Sequence, residues 1–155
     1  LLVIAPVSSQ QQTIPIQIAV AQDISKQVLC MAKNLYYEAA MEPFEGKVAV
    51  AQVTLNRINN PKFPKDICGV VYQKNVIMEK IVCQFSWHCE GPAKTKPTDD
   101  PAYKESYAVA KKVLLEGFRL DSLNDALFFR AVSVHPNWTY KKVVQIGNHI
   151  FYKES

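Results

Sequence analysis

A protonated carboxyl group beside a sugar bond can cleave it, and the residue whose type and setting suit that chemistry is Glu38. At 100° per residue, Ile24, Val28, Ala32, Leu35 and Ala39 fall within about 80° of arc, and Glu38 lies roughly 80° from the centre of that apolar stripe. It is expected at the rim of the buried face, away from Lys33 and Tyr37 on the solvated back. Burial there disfavours the charged form, as a general acid working near neutral pH requires. The competing reading is a carboxylate paired with Lys33, Arg57 or a backbone donor.

A second group lies in Gln84-Phe85-Ser86-Trp87, bracketed by Cys83 and Cys89. Amide, hydroxyl and aromatic side chains in an anchored loop suit a sugar, whose faces stack on rings while its hydroxyl and acetamido groups need fixed partners. Trp138 adds a further platform; the plainer alternative is that both tryptophans fill the core. Asn56, Tyr36 and Tyr103 complete the candidate glycan contacts. His149, after the Gly147-Asn148 turn, orients substrate in this reading or serves as a structural group. Ser86 is not expected to be an acyl-transfer nucleophile, because the G-x-S-x-G elbow is missing.

The elements that must carry these residues are legible in outline. A helix runs from Asp23 through Ala39. Pro43 and Glu45 open a second, GKVAVAQVTLNRI, whose apolar residues surround the axis, marking it as the central buried helix; it ends before Pro61. Residues 61–100 read as irregular with short helices at most. Asp100-Pro101 starts a third long helix, with Tyr103, Tyr107, Ala110 and Leu114 on one face and Gly117 as the stop. ALFFRA, KKVVQI and HIFYK then read as short strands of an antiparallel sheet, the last two joined at Gly147-Asn148. Helices followed by strands make the chain α+β. Residues 1–22 are expected to be a flexible lead-in or the remnant of an export segment, and 23–155 a single catalytic domain.

The 155 residues carry 18 basic and 14 acidic side chains, for a net charge of +4, and 48% are hydrophobic. That balance excludes a disordered tail or a polytopic membrane protein, and the scattered surplus of charge does not point to nucleic acid. The first apolar stretch is interrupted by Pro6 and Pro15 and is too short to span a bilayer. Cys30, Cys68, Cys83 and Cys89 leave disulfides, a metal pair or free thiols open, with a structural or redox role preferred because the spacing matches no common zinc site.

Several ordered blocks carry a resemblance: AKNLYYEAAMEPFEGKVAVAQVTLNRINNPKFPKDICGVVYQ, CQFSWHCEG, DALFFRA and IGNHIFYK. Together they resemble the SleB-type cell-wall hydrolases, which include spore-cortex-lytic enzymes and related phage and bacterial proteins. The resemblance implies a small lysozyme-like helical core, similar to the domains of resuscitation-promoting factors. It implies Glu38 as the catalytic acid and lytic transglycosylation of peptidoglycan glycan strands, with no metal and no cofactor. A monomer is expected, exported or wall-associated, or phage-encoded and acting on a host wall, without stable membrane insertion. One departure is clear: where the family commonly reads E-A-R-G-E-P, this chain has EAAMEP. The alternatives are hydrolysis by a carboxylate pair drawn from Glu38 with Glu42, Glu45 or Glu90, an amidase, whose usual zinc site His88, His135 and His149 do not assemble, and a non-catalytic wall-binding module.

Overall fold

The structure, a computed structural model, describes residues 5–77, 80–89 and 99–155. Helix α1 spans Ala5–Ala39, α2 Phe44–Ile58, α3 Ile67–Val71 and α4 Pro101–Leu115. A hairpin of β1 (Lys74–Ile77) and β2 (Lys80–Cys83) leads into a 3₁₀ turn at Ser86–Cys89, and β3 (Phe128–Ala131), β4 (Lys141–Ile146) and β5 (His149–Lys153) close the chain. None of the described helices is long and apolar enough to cross a membrane.

The central helix is α2, as its apolar circumference predicts. Val48, Ala49, Val50, Ala51 and Val53 are all fully covered. Three of its polar residues, Gln52, Asn56 and Arg57, have a common destination. Gln52 accepts from the Leu120 backbone N–H and donates to its carbonyl, each at 2.9 Å. One turn on, Asn56 Nδ2 donates to the carbonyls of Leu123 at 2.7 Å and Ala126 at 2.8 Å, and Arg57 Nε donates to Leu127 at 2.8 Å. This stripe adds side-chain partners to the 120–127 backbone, whose own bonds run from Leu123 N–H to Leu120 O at 3.2 Å and from Ala126 N–H to Leu123 O at 3.1 Å. It also sets where β3 begins, directly after Leu127.

Helix α1 packs Val28, Ala32, Leu35 and Ala39 into the core, while Ile24 is 42% exposed, so the buried stripe starts one turn later than expected. The helix itself is assigned from Ala5, upstream of the Asp23 start read from periodicity. Cys30 and Cys68 form a disulfide that pins α3 to α1. Asp66 caps α3 through Gly69 N–H at 2.7 Å, and Asp100 caps α4 through Ala102 N–H at 2.9 Å. Gly117, at φ +75°, follows α4 in the left-handed conformation that ends helices.

The hairpin corrects the reading of 61–100 as irregular. Lys74 pairs with Cys83 and Ile77 with Lys80 in an antiparallel register, extended by Gln84 N–H donating to Gln73 O at 2.9 Å. The C-terminal sheet has the order β3-β5-β4, all antiparallel, with Ala131 opposite His149 and Phe129 opposite Phe151. β5 is therefore the central strand and its first four residues are buried.

Candidate active site

Glu38 occupies the last turn of α1, half-buried, and lines a cleft of about 460 Å³ between the helices and the C-terminal sheet. The last turn of α2 adds Arg57, and the loop after β2 adds Gln84, Phe85 and Ser86. Strand β3 adds Phe128 to Ala131, the following loop adds Val134, Pro136 and Trp138, and the start of β5 adds His149. Four of the residues singled out from sequence, Glu38, Gln84, Ser86 and His149, thus share one cleft with Trp138. Among the described residues that line it, Glu38 is the one carboxylate.

The loop 84–87 presents its polar groups by alternation. Phe85 and Trp87 are buried, whereas Gln84 and Ser86 are exposed. The Cys83–Cys89 disulfide closes this loop at its base. Cys83, His88 and Cys89 bring ligand-type atoms within 4.8 Å of one another, but the two sulfurs are bonded together. Trp87 is consequently not a platform in the cleft. It stacks on Tyr37 with ring centres 4.6 Å apart and donates through Nε1 to Asn34 Oδ1 at 2.9 Å. Tyr37, expected on the solvated back of α1, is covered by that indole.

Three further candidates lie elsewhere. Asn56 is committed to the 120–127 backbone and lines a separate polar recess with Asn59, Asn60 and Asn124. Tyr36 donates its hydroxyl to Asp100 Oδ2 at 2.6 Å, tying α1 to the start of α4. That bond holds the Asp100 carboxyl below its usual range, the α4 cap bond adding to the effect, and raises the Tyr36 phenol. Tyr103 is buried against Tyr36, with ring centres 5.9 Å apart. These three hold the fold together and do not line the cleft.

The electrostatics centre on Arg57, which is 3% exposed. Its guanidinium lies over the rings of Phe63, Phe85 and Phe128 at 5.0, 5.2 and 5.7 Å. Burial pulls its pKa down from the ordinary arginine value to about 10, and the negative charge of Glu38 acts in the opposite direction. The pairing of Glu38 with Arg57, weighed against a catalytic role on sequence grounds, is thus an electrostatic link inside the cleft and coexists with Glu38 facing it. His149 is held low by burial, opposed in part by Glu42. Its ring meets Phe129 and Phe151 edge-on at 5.1 and 6.2 Å.

The other carboxylates once considered as a second catalytic group are placed differently. Glu42 is 7% exposed and accepts from Asn148 N–H at 2.8 Å and Asn148 Nδ2 at 3.3 Å. Glu45 is exposed in the first turn of α2, where it complements the helix dipole. Glu90 lies outside the described residues.

Sequence reasoning missed the weight of Arg57, Arg130 and the β3 aromatics. A signal for Arg57 was present: a charged residue on a helix apolar all round must find a buried partner. One carboxyl group and two arginines, Arg57 and Arg130, share an open cleft otherwise walled by aromatic, apolar and neutral polar groups, an arrangement with the parts for acid–base chemistry. The chain belongs to the cell wall hydrolase family, whose pattern it matches over residues 41–152. It is 32% identical over 127 residues to a spore cortex-lytic enzyme of Oceanobacillus iheyensis, covering 79% of this chain and 40% of that protein. A spore cortex-lytic enzyme of Bacillus subtilis is 30% identical, with 78% of this chain and 35% of that protein covered. The chain therefore spans well under half the length of these curated relatives.

Among solved structures, the catalytic domain of the germination-specific lytic transglycosylase SleB from Bacillus anthracis superposes with a TM-score of 0.62 at 28% identity. That match covers 82% of this chain and 93% of that one. The catalytic domain of the Bacillus cereus SleB protein gives 0.61 at 27% identity, covering 83% and 91%. The α+β architecture, a lysozyme-like helical core with a small antiparallel sheet, is the one expected from sequence.

Proposed function

We propose that this chain is a peptidoglycan lytic transglycosylase that cleaves the bond between N-acetylmuramic acid and N-acetylglucosamine and leaves a 1,6-anhydro end. The observation that carries the reading is the lone carboxylate, Glu38, among the described residues of the cleft. Hydrolysis by inversion or retention needs two carboxyl groups flanking the bond, at about 6.5–9.5 or 5–5.5 Å. An internal nucleophile needs one. The similarity to the Bacillus anthracis SleB catalytic domain, described as a lytic transglycosylase, supports the same choice.

Glu38, protonated, gives its proton to the glycosidic oxygen as the bond to C1 of the muramic acid breaks. The resulting carboxylate then takes the proton of that sugar's C6 hydroxyl while the oxygen attacks C1 and closes the ring. Proton and electron pairs balance, and the leaving sugar departs with a free hydroxyl at the broken bond. Holding the hydroxyl against C1 within one sugar supplies the proximity that water would lack. The Arg57 charge stabilises Glu38 in the interval when it is ionised. Gln84, Ser86 and His149 offer neutral hydrogen-bonding groups to the sugar, and Phe128 and Trp138 offer ring faces.

The same proposal has the domain act as a monomer on the wall, outside the cell membrane, whether supplied by the bacterium or by a phage. It takes residues 23–155 as the catalytic unit and 1–22 as a lead-in. Digestion of purified peptidoglycan followed by mass analysis tests it. Muropeptides lighter by one water and lacking a reducing end are expected. Reducing ends indicate hydrolysis, freed stem peptide an amidase, and no release a binding module. Glu38→Gln keeps shape and removes the proton donor, so turnover should fall by roughly 100-fold or more with folding retained; full turnover in that variant overturns the assignment.

A further inference from the structure

The carboxylate of Glu42 is buried at the α1–α2 turn yet lies outside the cleft, and the chemistry above does not use it. Its partners are 106 residues away in sequence. Oε1 accepts from the Asn148 backbone at 2.8 Å, and Oε2 faces Asn148 Nδ2 at 3.3 Å. Oε1 also lies 3.6 Å from Nδ1 of His149, a buried nitrogen that has no hydrogen-bond partner.

Two glycines leave room for this arrangement. A Cβ at Gly147, which sits at φ +57°, would come 2.5 Å from Glu42 Oε1, and a Cβ at Gly46 would come 2.8 Å from Glu42 Cβ. The carboxylate is thus built into the junction between the turn that follows Glu38 and the turn that delivers His149. His149 lines the cleft while its Nδ1 is covered, so the ring reaches the cleft with its other edge. A carboxylate beside Nδ1 favours the tautomer with the proton there, which leaves Nε2 as an acceptor. A spacing of 3.6 Å exceeds a hydrogen bond, and such contacts in ligand-free sites commonly shorten when substrate binds.

We propose that Glu42 is a positioning residue: through Asn148 it fixes the β4–β5 turn, and through Nδ1 it sets the orientation and tautomer of His149, turning an Nε2 acceptor toward an O–H or N–H donor of the glycan. This rests on the transglycosylase reading for the identity of the glycan, and on geometry alone for the coupling of Glu42 to His149. The charged groups around the imidazole are Glu42 from the α1–α2 turn, Glu38 and Arg57 from α1 and α2 across the cleft, and Arg130 from β3. The residue opposite it on β4 is the neutral Ile146.

The test follows the imidazole of His149 by NMR titration in the full chain, assigned by comparison with His149→Gln. Removing the Glu42 charge withdraws an influence that raises the His149 pKa, so Glu42→Gln shifts its midpoint further down and alters the tautomer signature of the ring nitrogens. On purified peptidoglycan, Glu42→Gln and His149→Gln should each lower kcat/KM about 10- to 100-fold, the cost of a misplaced contact group. In the His149→Gln background, Glu42→Gln should cost less than about twofold more, because coupled residues do not add. An unchanged midpoint, or fully additive losses, overturns the proposal. Should Glu42→Gln not fold, Asn148→Ala, which removes a donor to the same carboxylate, must displace the His149 signature; no displacement is equally fatal. A wild-type chain inert on peptidoglycan defeats the transglycosylase reading and leaves the titration to judge Glu42 by itself.

Discussion

Replacing Arg57 with methionine separates what its charge does for the cleft from what it does for the fold. Burial lowers its pKa from the ordinary arginine value to about 10, which disfavours the charged form by about 3 kcal/mol in the folded state. The folded value lies below the unfolded one, so the unfolded chain holds this proton more tightly. That penalty is present in full below about pH 10 and is relieved as pH rises from there toward the ordinary arginine value. Against it stand a charged donor to Leu127 O, worth roughly 1.5–3 kcal/mol, and three ring contacts, worth roughly 2 kcal/mol once desolvated.

Methionine removes both sides of this balance while keeping an apolar stem and a polarisable sulfur against the same rings. Stability should therefore drop by only about 1–2 kcal/mol. Breaking a sealed ion pair by deleting one member costs more, about 3–5 kcal/mol, because the survivor is stranded. Glu38 is half-buried and opens onto the cleft, so water can solvate it. Turnover should nevertheless fall at least about tenfold, since the ionised Glu38 loses the opposite charge beside it. Chemical denaturation at neutral pH, paired with release of muropeptides, measures both. A loss beyond about 4 kcal/mol would refute the balance of terms, and unchanged turnover would refute the electrostatic role.

The Cys30–Cys68 bridge closes a 38-residue separation, so the double alanine variant should be less stable by about 4 kcal/mol under oxidising conditions. In denaturation with reductant, which opens both bridges in the parent chain, that gap should vanish. Trp87→Ala should cost about 3–5 kcal/mol as a core truncation, whereas Trp138→Ala should raise KM for polymeric glycan with little change in melting temperature; the reverse pattern would exchange their assigned places. Asp100, held low by Tyr36 and by the α4 cap, contributes stability above the ordinary carboxylate range that is lost as pH falls through its lower folded value. Asp100→Asn should flatten the acid limb of the stability curve below the ordinary carboxylate range, and an unaltered limb counts against the Tyr36 pairing.

Residue periodicity located the helices because α1, α2 and α4 bury faces of different widths, and because Pro43, Asp100-Pro101 and Gly117 mark their ends by backbone chemistry that needs no partner. The 74–83 hairpin escaped notice because four-residue strands in a stretch rich in cysteine, glycine and proline carry too little alternation to register. The same limit divides the site residues. Glu38, Gln84, Ser86 and His149 were legible because each follows a local rule: a helix rim, a bracketed loop, a residue after a turn. Asn56 and Trp87 were misplaced because periodicity identifies a face without saying what covers it. Asn56 is claimed by carbonyls 67 and 70 positions along the chain, and Trp87 by an asparagine 53 positions back.

Glu42 shows the consequence most clearly. Its neighbours in sequence offer it a sufficient local explanation, a carboxylate ahead of a helix N-terminus, and nothing in that explanation requires Asn148 or His149. The requirement appears only from the other end, at Gly147, where the left-handed turn serves the β4–β5 connection and its missing Cβ also admits a carboxylate oxygen from across the domain. A turn glycine satisfies both demands at once, so its local role conceals its distant one. Substituting Gly147 by alanine would strain the turn and displace Glu42 together, which is why the charge-only change at Glu42 is the cleaner probe of how the sheet delivers His149 to the cleft.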